Sequence, residues 1–215
     1  IESNKVMNRV FYLIIPEKGN IDIQVNICLE RLASLNLKST RLKNRELKNL
    51  LKAMSPDSIK NFPNYLETEK QFHRIIYASG YPRNVESGFL DKVVSSLGDF
   101  DLSMHINPYL IDRMIIDLNR ELQKQRADLF SMNTKGIINP SLEIQYADTR
   151  KTLENLQKGE ERLFNVSLYI NCKADTLEEL ELLTKKVESE LNSLMIMPKT
   201  ATLRMMQGFK SILPL

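Results

Sequence analysis

The sequence has no tryptophan and only seven glycines among 215 residues, which sets aside collagenous, glycine-rich and prion-like chains. Those glycines are isolated. Neither GxxxxGK[ST] nor GxGxxG occurs, so no nest of backbone N–H groups is on offer to a polyphosphate. Cysteine is equally scarce: Cys28 and Cys172 lie far apart, with no CxxC and no Cys/His cluster. A disulfide framework or structural zinc site is therefore not expected, and the composition fits a reducing cytoplasm. Long hydrophobic runs are missing too. The longest, such as Val10 to Ile15, are strand-sized, so no transmembrane segment and no signal peptide is read. Charge of one sign is in short supply: 30 Lys and Arg against 27 Asp and Glu give a net +3. That permits nucleic acid as a partner without pointing to it.

Catalytic groups are thin. His73 and His105 both fall on expected strands without a nearby Cys, Ser or paired acid, and read as partly exposed strand histidines. Cys28 and Cys172 fall on apolar faces and read as inert thiols. Glu160 and Glu161 are adjacent at a loop-to-strand junction, so their carboxylates diverge; solvation or bonding to helix ends fits better than catalysis.

What is present is an ordinary globular balance, 42% hydrophobic and 27% charged, in a chain long enough for one large domain or two small ones. Met7 to Ile15 reads as a strand closed by Pro16 and Gly19, and Asn20 caps a helix carrying Ile21, Val25, Cys28, Leu32 and Leu35. A second helix is expected over about Arg41 to Met54. Two strands, Tyr65 to Glu67 and Phe72 to Ser79, follow around a polar turn. Then come a helix from about Glu86 to Leu97, an alternating strand from Phe100 to Asn107, and a helical hairpin over about 110–158. The hairpin's second helix opens with Asn139 as cap and Pro140 at the first helical position. Leu163 to Cys172 reads as a strand, and a capping box at Asp175 or Thr176, with Glu178 or Glu179 three residues on, starts a helix to Leu194. A last short strand is expected over Thr200 to Met205.

From Phe72 onward, with the hairpin set aside, the order is β-α-β-β-α-β. The expected class is therefore α+β, a ferredoxin-like core with an inserted helical hairpin. Residues 1–63 are expected to be the tail of a preceding small α/β subdomain and 64–215 the ferredoxin-like domain. The missing active site, the incomplete leading subdomain and a first residue that is Ile1 all lead to one expectation: a fragment of a larger protein, cut just after Leu215.

Two surfaces stand out. Lys38, Arg41, Lys43, Arg45, Lys48 and Lys52 form a basic run that could meet nucleic acid or acidic lipid heads, or simply be a solvated helix face interrupted by Glu46. The hairpin must cover its apolar stripe against its own second helix or against another protein.

Three stretches in order carry a resemblance: Tyr77 to Arg83 followed by Gly88 to Leu90; Gly159 to Phe164 running into Val166 to Tyr169; and Gln207 to Leu215. Together they resemble the N-terminal region of the conjugative-transfer ATPases of type IV secretion systems, the CagE/TrbE/VirB-type motors. The resemblance implies a domain that precedes a RecA-like motor carrying the Walker motifs, with ATP and Mg held there and none here. It implies a hexamer at the cytoplasmic face of the inner membrane, with inner-membrane secretion subunits as partners. The candidate interface residues are then Lys38, Arg41, Lys43, Arg45, Lys48, Tyr81 and Arg83, with no catalytic, cofactor or metal residue. Two other readings stand beside it. One is a free-standing ferredoxin-like nucleic-acid-binding module using Tyr77, Tyr169 and Phe164, which lack the RNP patterns. The other is a small enzyme built on Glu160 and Glu161.

Overall fold

The computed structural model describes residues 13, 21–34, 38–96 and 98–213. The strand expected over Met7 to Ile15, apart from Leu13, and its stop at Pro16 and Gly19 lie outside the described residues, as do Asn20, Leu35, Leu97 and the last two residues.

The described chain is mixed α and β, as expected. Helices α1 (Ile21–Ser34) and α2 (Asn44–Met54) come first, then strands β1 (Ile59–Asn61), β2 (Leu66–Thr68) and β3 (Phe72–Gly80). Helix α3 (Asp91–Val94), strand β4 (Asp99–Pro108) and the helices α4 (Ile111–Thr134) and α5 (Pro140–Lys158) follow. The chain continues through β5 (Phe164–Ala174), α6 (Leu177–Ser193), β6 (Met197–Thr200) and α7 (Met205–Ile212). It divides into two compact units, residues 1–103 with 169–215, and residues 104–168.

One sheet runs β1-β2-β3-β5-β4, with β6 also paired to β3. Strands β3 and β4, joined through α3, are separated by β5; strands β5 and β6, joined through α6, are separated by β3. Each crossover thus skips one position that the other half fills, an order compatible with the split βαβ plan. β3 is the spine. Phe72 to Tyr77 pair with β5 on one side, while β2 at Phe72 and His73 and β6 from Ile76 to Gly80 share the other.

Alternation along β3 sends Arg74 and Ile76 to one face and His73, Ile75 and Tyr77 to the other. Helix α6 packs on the first face, where Arg74 Nη1 reaches Glu181 Oε2 at 2.6 Å. Its buried residues Leu180, Thr184, Val187 and Leu191 repeat at helical spacing. Helix α7 packs on the second face, where Ile75 forms a core with Leu66, Ala201, Met205, Phe209 and Ile212. Removing such side chains from water contributes about 1.5–3 kcal/mol each. The approach is close: a Cβ on Gly208 would stand 2.8 Å from Ile75 Cγ2.

Two expected elements change. The helix from Glu86 to Leu97 shrinks to the single turn of α3, because Gly88 takes a positive φ of 78° and Asp91 N–H donates to the Gly88 carbonyl at 2.8 Å. The chain makes a turn there before it can enter a helix. The strand expected over Thr200 to Met205 ends at Thr200, having begun at Met197. Leu203, at φ 63°, gives its N–H to the Pro63 carbonyl instead of a ladder, and Met205 opens α7. Strand β1 and helix α7 were not expected.

In residues 104–168 the hairpin is as expected. Met114, Ile115, Leu118, Leu122, Gln125, Leu129 and Met132 are the buried or half-buried positions of α4, and from Ile115 onward they are spaced three and four apart. They oppose Leu142, Tyr146, Thr149, Leu153 and Leu156 of α5, the narrow seam of a coiled-coil pair. Asn139 caps α5, its Oδ1 accepting from Leu142 N–H at 3.2 Å, with Pro140 first in the helix.

Candidate functional site

The densest polar constellation among the described residues lies on the β3 face that carries α7. His73, 8% exposed, is held on both ring nitrogens. Its Nδ1 is 3.3 Å from Asn171 Oδ1, and its Nε2 is 3.2 Å from Thr68 Oγ1. Asn171 Nδ2 donates to Asp101 Oδ2 at 3.0 Å. Lys173 Nζ donates to Asp101 Oδ1 at 3.1 Å and lies 3.0 Å from Asp99 Oδ1. The Phe209 ring of α7 meets the imidazole edge-on at 5.6 Å between centroids.

The order of donors fixes the protons. A carboxylate at Asp101 can only accept, so the Asn171 amide nitrogen points to it and the amide oxygen points to His73. His73 Nδ1 must then carry a hydrogen, and in the neutral ring Nε2 is an acceptor that competes with the Gln71 carbonyl, at 2.8 Å, for the single Thr68 hydroxyl hydrogen. Burial holds the imidazole below the ordinary histidine range, with the Asn171 hydrogen bond opposing that shift and Lys173 adding to it. At Lys173 burial also works against the charge, but Asp101 and Asp99 outweigh it and hold the ammonium above the ordinary lysine range. The relay therefore joins a neutral imidazole to a fully charged ion-pair cluster.

His73 was expected to be partly exposed; the structure buries it, because α7 covers its strand face. His105 is exposed. Cys172 is buried as expected, and burial pushes its thiol up to about 12; Cys28 is half-buried. Glu160 and Glu161 are exposed, and Glu161 Oε1 accepts from Asn155 Nδ2 at 2.8 Å in the last turns of α5. Tyr77 and Tyr169 pair across β3 and β5 and pack against the α7 core, so α7 occupies the place of a stacking platform.

Lys38, Arg41 and Lys43 lie on the approach to α2, and Arg45 and Lys48 stand three apart on it; all five are exposed. Arg41 Nη1 pairs with Asp22 Oδ1 at 2.6 Å, and Lys43 N–H donates to Glu46 Oε2 at 2.6 Å in a capping arrangement. Tyr81 and Arg83 sit exposed on the connection from β3 to α3. Pro82, Asn84 and Glu86 of that connection, with Asp91 and Lys92 of α3, line a shallow cavity of about 460 Å³. The candidate residues thus fall on two separate parts of the chain. No group of His, Cys, Asp and Glu among the described residues could hold a metal ion, and no described helix is long and apolar enough to cross a membrane.

A family model for the CagE, TrbE, VirB family, component of type IV transporter system, matches residues 35–215. The chain belongs to that family. The match runs through both compact units, from the approach to α2 to the end of α7, so the sheet, the hairpin and the relay are all family territory. No curated protein matches the chain.

Proposed function

We propose that this member of the CagE, TrbE, VirB family is the assembly and docking part of a type IV secretion ATPase, linking a RecA-like motor to inner-membrane secretion subunits. The observation that carries the reading is the family match over residues 35–215. A transporter component is held in place by its neighbours, and the hairpin supplies surface for that. Helix α4 is 24 residues long, about 36 Å. At the end of the hairpin Phe130 and Ile138 are 75% and 78% exposed, with Ile137 beside them. Large apolar side chains presented together favour a protein neighbour.

In this reading the chain hydrolyses nothing. ATP and Mg belong to the motor, since the phosphate-binding motifs are missing from these residues. The parent assembles as a hexamer at the cytoplasmic face of the inner membrane and passes DNA or protein. The exposed cations Lys38, Arg41, Lys43, Arg45 and Lys48, with Tyr81 and Arg83, are a second contact surface.

The test has two arms. Purified chain is assayed for ATP turnover, where none is expected and a clear signal overturns the reading. A photo-crosslinker at Phe130 of the protein in its host is expected to capture an inner-membrane secretion subunit. Capture of ribosomes or RNA alone would favour a nucleic-acid module.

A further inference from the structure

The positive charge of this chain is gathered in one place. Residues 38–52 hold Lys38, Arg41, Lys43, Arg45, Lys48 and Lys52 against a single carboxylate, Glu46, a net +5. The whole chain carries +3, so the other 200 residues carry −2 between them. All six cations are exposed. Arg41 is paired with Asp22, and Glu46 is turned to the Lys43 N–H at the start of α2. Such a surface attracts a partner that bears anions, and the residue types choose which kind. A second copy would bring +5 against +5, and like charges set together across an interface are costly. A single nucleic-acid strand needs aromatic rings on which bases stack, and residues 38–52 contain none. An acidic protein is met best by arginine, whose planar fork matches a carboxylate, while lysine is depleted at protein interfaces. Here four of the six cations are lysines, and one of the two arginines is already committed to Asp22. Lysine is a compact charge on a flexible stem, suited to a plane of mobile headgroups where no fixed carboxylate has to be matched.

We propose that residues 38–52 bind the surface of a bilayer that contains anionic phospholipid, through α2 and the segment leading into it. The helix supplies the second half of the match. Arg45, Lys48 and Lys52 stand three and four apart along α2, and in the sequence Leu47, Leu50, Leu51 and Met54 recur with helical spacing at the other positions. Basic helices with such a leucine stripe lie along membrane surfaces. Leu42, 41% exposed, stands between Arg41 and Lys43 on the approach. The inference deepens the docking reading by naming what the second contact surface meets, and rests on that reading only for the identity of the membrane.

The experiment sediments the whole chain with vesicles of phosphatidylcholine alone and of phosphatidylcholine mixed with phosphatidylglycerol. Binding is expected to the mixed vesicles only, and should fall as salt is raised. A cation near such a surface changes affinity about fivefold, so Lys48→Gln should lower it about that much. Arg45→Gln, Lys48→Gln and Lys52→Gln together should lower it about a hundredfold. The control combines Arg113→Gln, Lys124→Gln and Arg126→Gln, at exposed positions of α4. Each triple variant takes the net charge from +3 to 0, so a difference between them reads location and not total charge. The control should bind like the parent, and circular dichroism verifies each fold. Equal losses in the two triple variants overturn the proposal, as does binding to phosphatidylcholine alone as tight as to the mixture. So does failure to bind either vesicle at low salt. Tighter binding to duplex DNA than to the mixed vesicles, lost in the α2 variant, overturns it in favour of nucleic acid. Crosslinking at Phe130 reads the docking role separately, so failure of either leaves the other standing.

Discussion

His73 and Asn171 lie 98 residues apart in the sequence and meet across β3 and β5 through one contact, Nδ1 to Oδ1 at 3.3 Å. Because Asn171 is oriented by Asp101, and Asp101 by Lys173, the tautomer of a histidine on one strand is set by an ion pair between two others. That chain of dependence makes the face beneath α7 sensitive to proton and charge.

The fold should weaken as pH falls through the histidine range. His73 binds its proton less readily folded than unfolded, so the unfolded chain takes up more protons over that window, and stability rises with pH across it. The full contribution is present above the unfolded value of about 6.5 and is lost as pH falls toward the lower folded value. Urea melts between neutral and mildly acidic pH should show this. His73→Phe should flatten the dependence even if it lowers stability throughout.

Asn171→Ala should cost about 1–3 kcal/mol, since it strips a partner from buried His73 and from Asp101 at once. Asn171→Leu should be no better, because its volume restores packing but no hydrogen bond. A change in urea midpoint at constant slope reads the loss.

Gly208→Ala should cost about 1–3 kcal/mol by overpacking, as the added carbon would stand 2.8 Å from a branched side chain on a central strand. Pairing it with Ile75→Ala removes the obstructing methyl group. If the close approach is the cause, the double variant loses less than the sum of the two single losses.

Met195 and Leu203 hold φ of 57° and 63° and are 75% and 78% exposed, so each pays for a left-handed backbone without burying its side chain. Replacing either with glycine should raise stability by about 1 kcal/mol. Thermal denaturation of the single variants measures this; a loss at either site would mean that its apolar side chain packs more than its exposure suggests.

The elements most legible in the sequence were those with strong local signals. Asn139 and Pro140 marked the start of α5, the pair Asp175 and Thr176 that of α6, where Thr176 is the cap, and the alternation from Phe100 to Asn107 gave β4 to within a residue or two. The three-four spacing of α4 and α5 gave the hairpin. The misread elements depended on distant partners. Thr200 to Met205 has β-branched and apolar residues, but Leu203 turns away to reach Pro63, a contact no local pattern contains. The relay was missed for the same reason. His73, Asp101, Asn171 and Lys173 come from three strands, and only the strand order places them together. Asp101 and Asn171 were visible as polar members of alternating strands, but alternation by itself puts such residues toward water. It is α7, unexpected in the sequence, that turns that face inward.

The placement of β3 has a consequence in time. Its two fully buried isoleucines, Ile75 and Ile76, are covered by α7 and α6 and flanked by β5 and β6, all of which lie about a hundred residues or more further along the chain. During synthesis at about 5–20 residues per second, that strand waits roughly 5–20 s for its first central neighbour. In the interval it is an apolar ribbon with only the short β2 beside it. Whatever shields nascent chains in the cell has this segment to protect before the sheet can close.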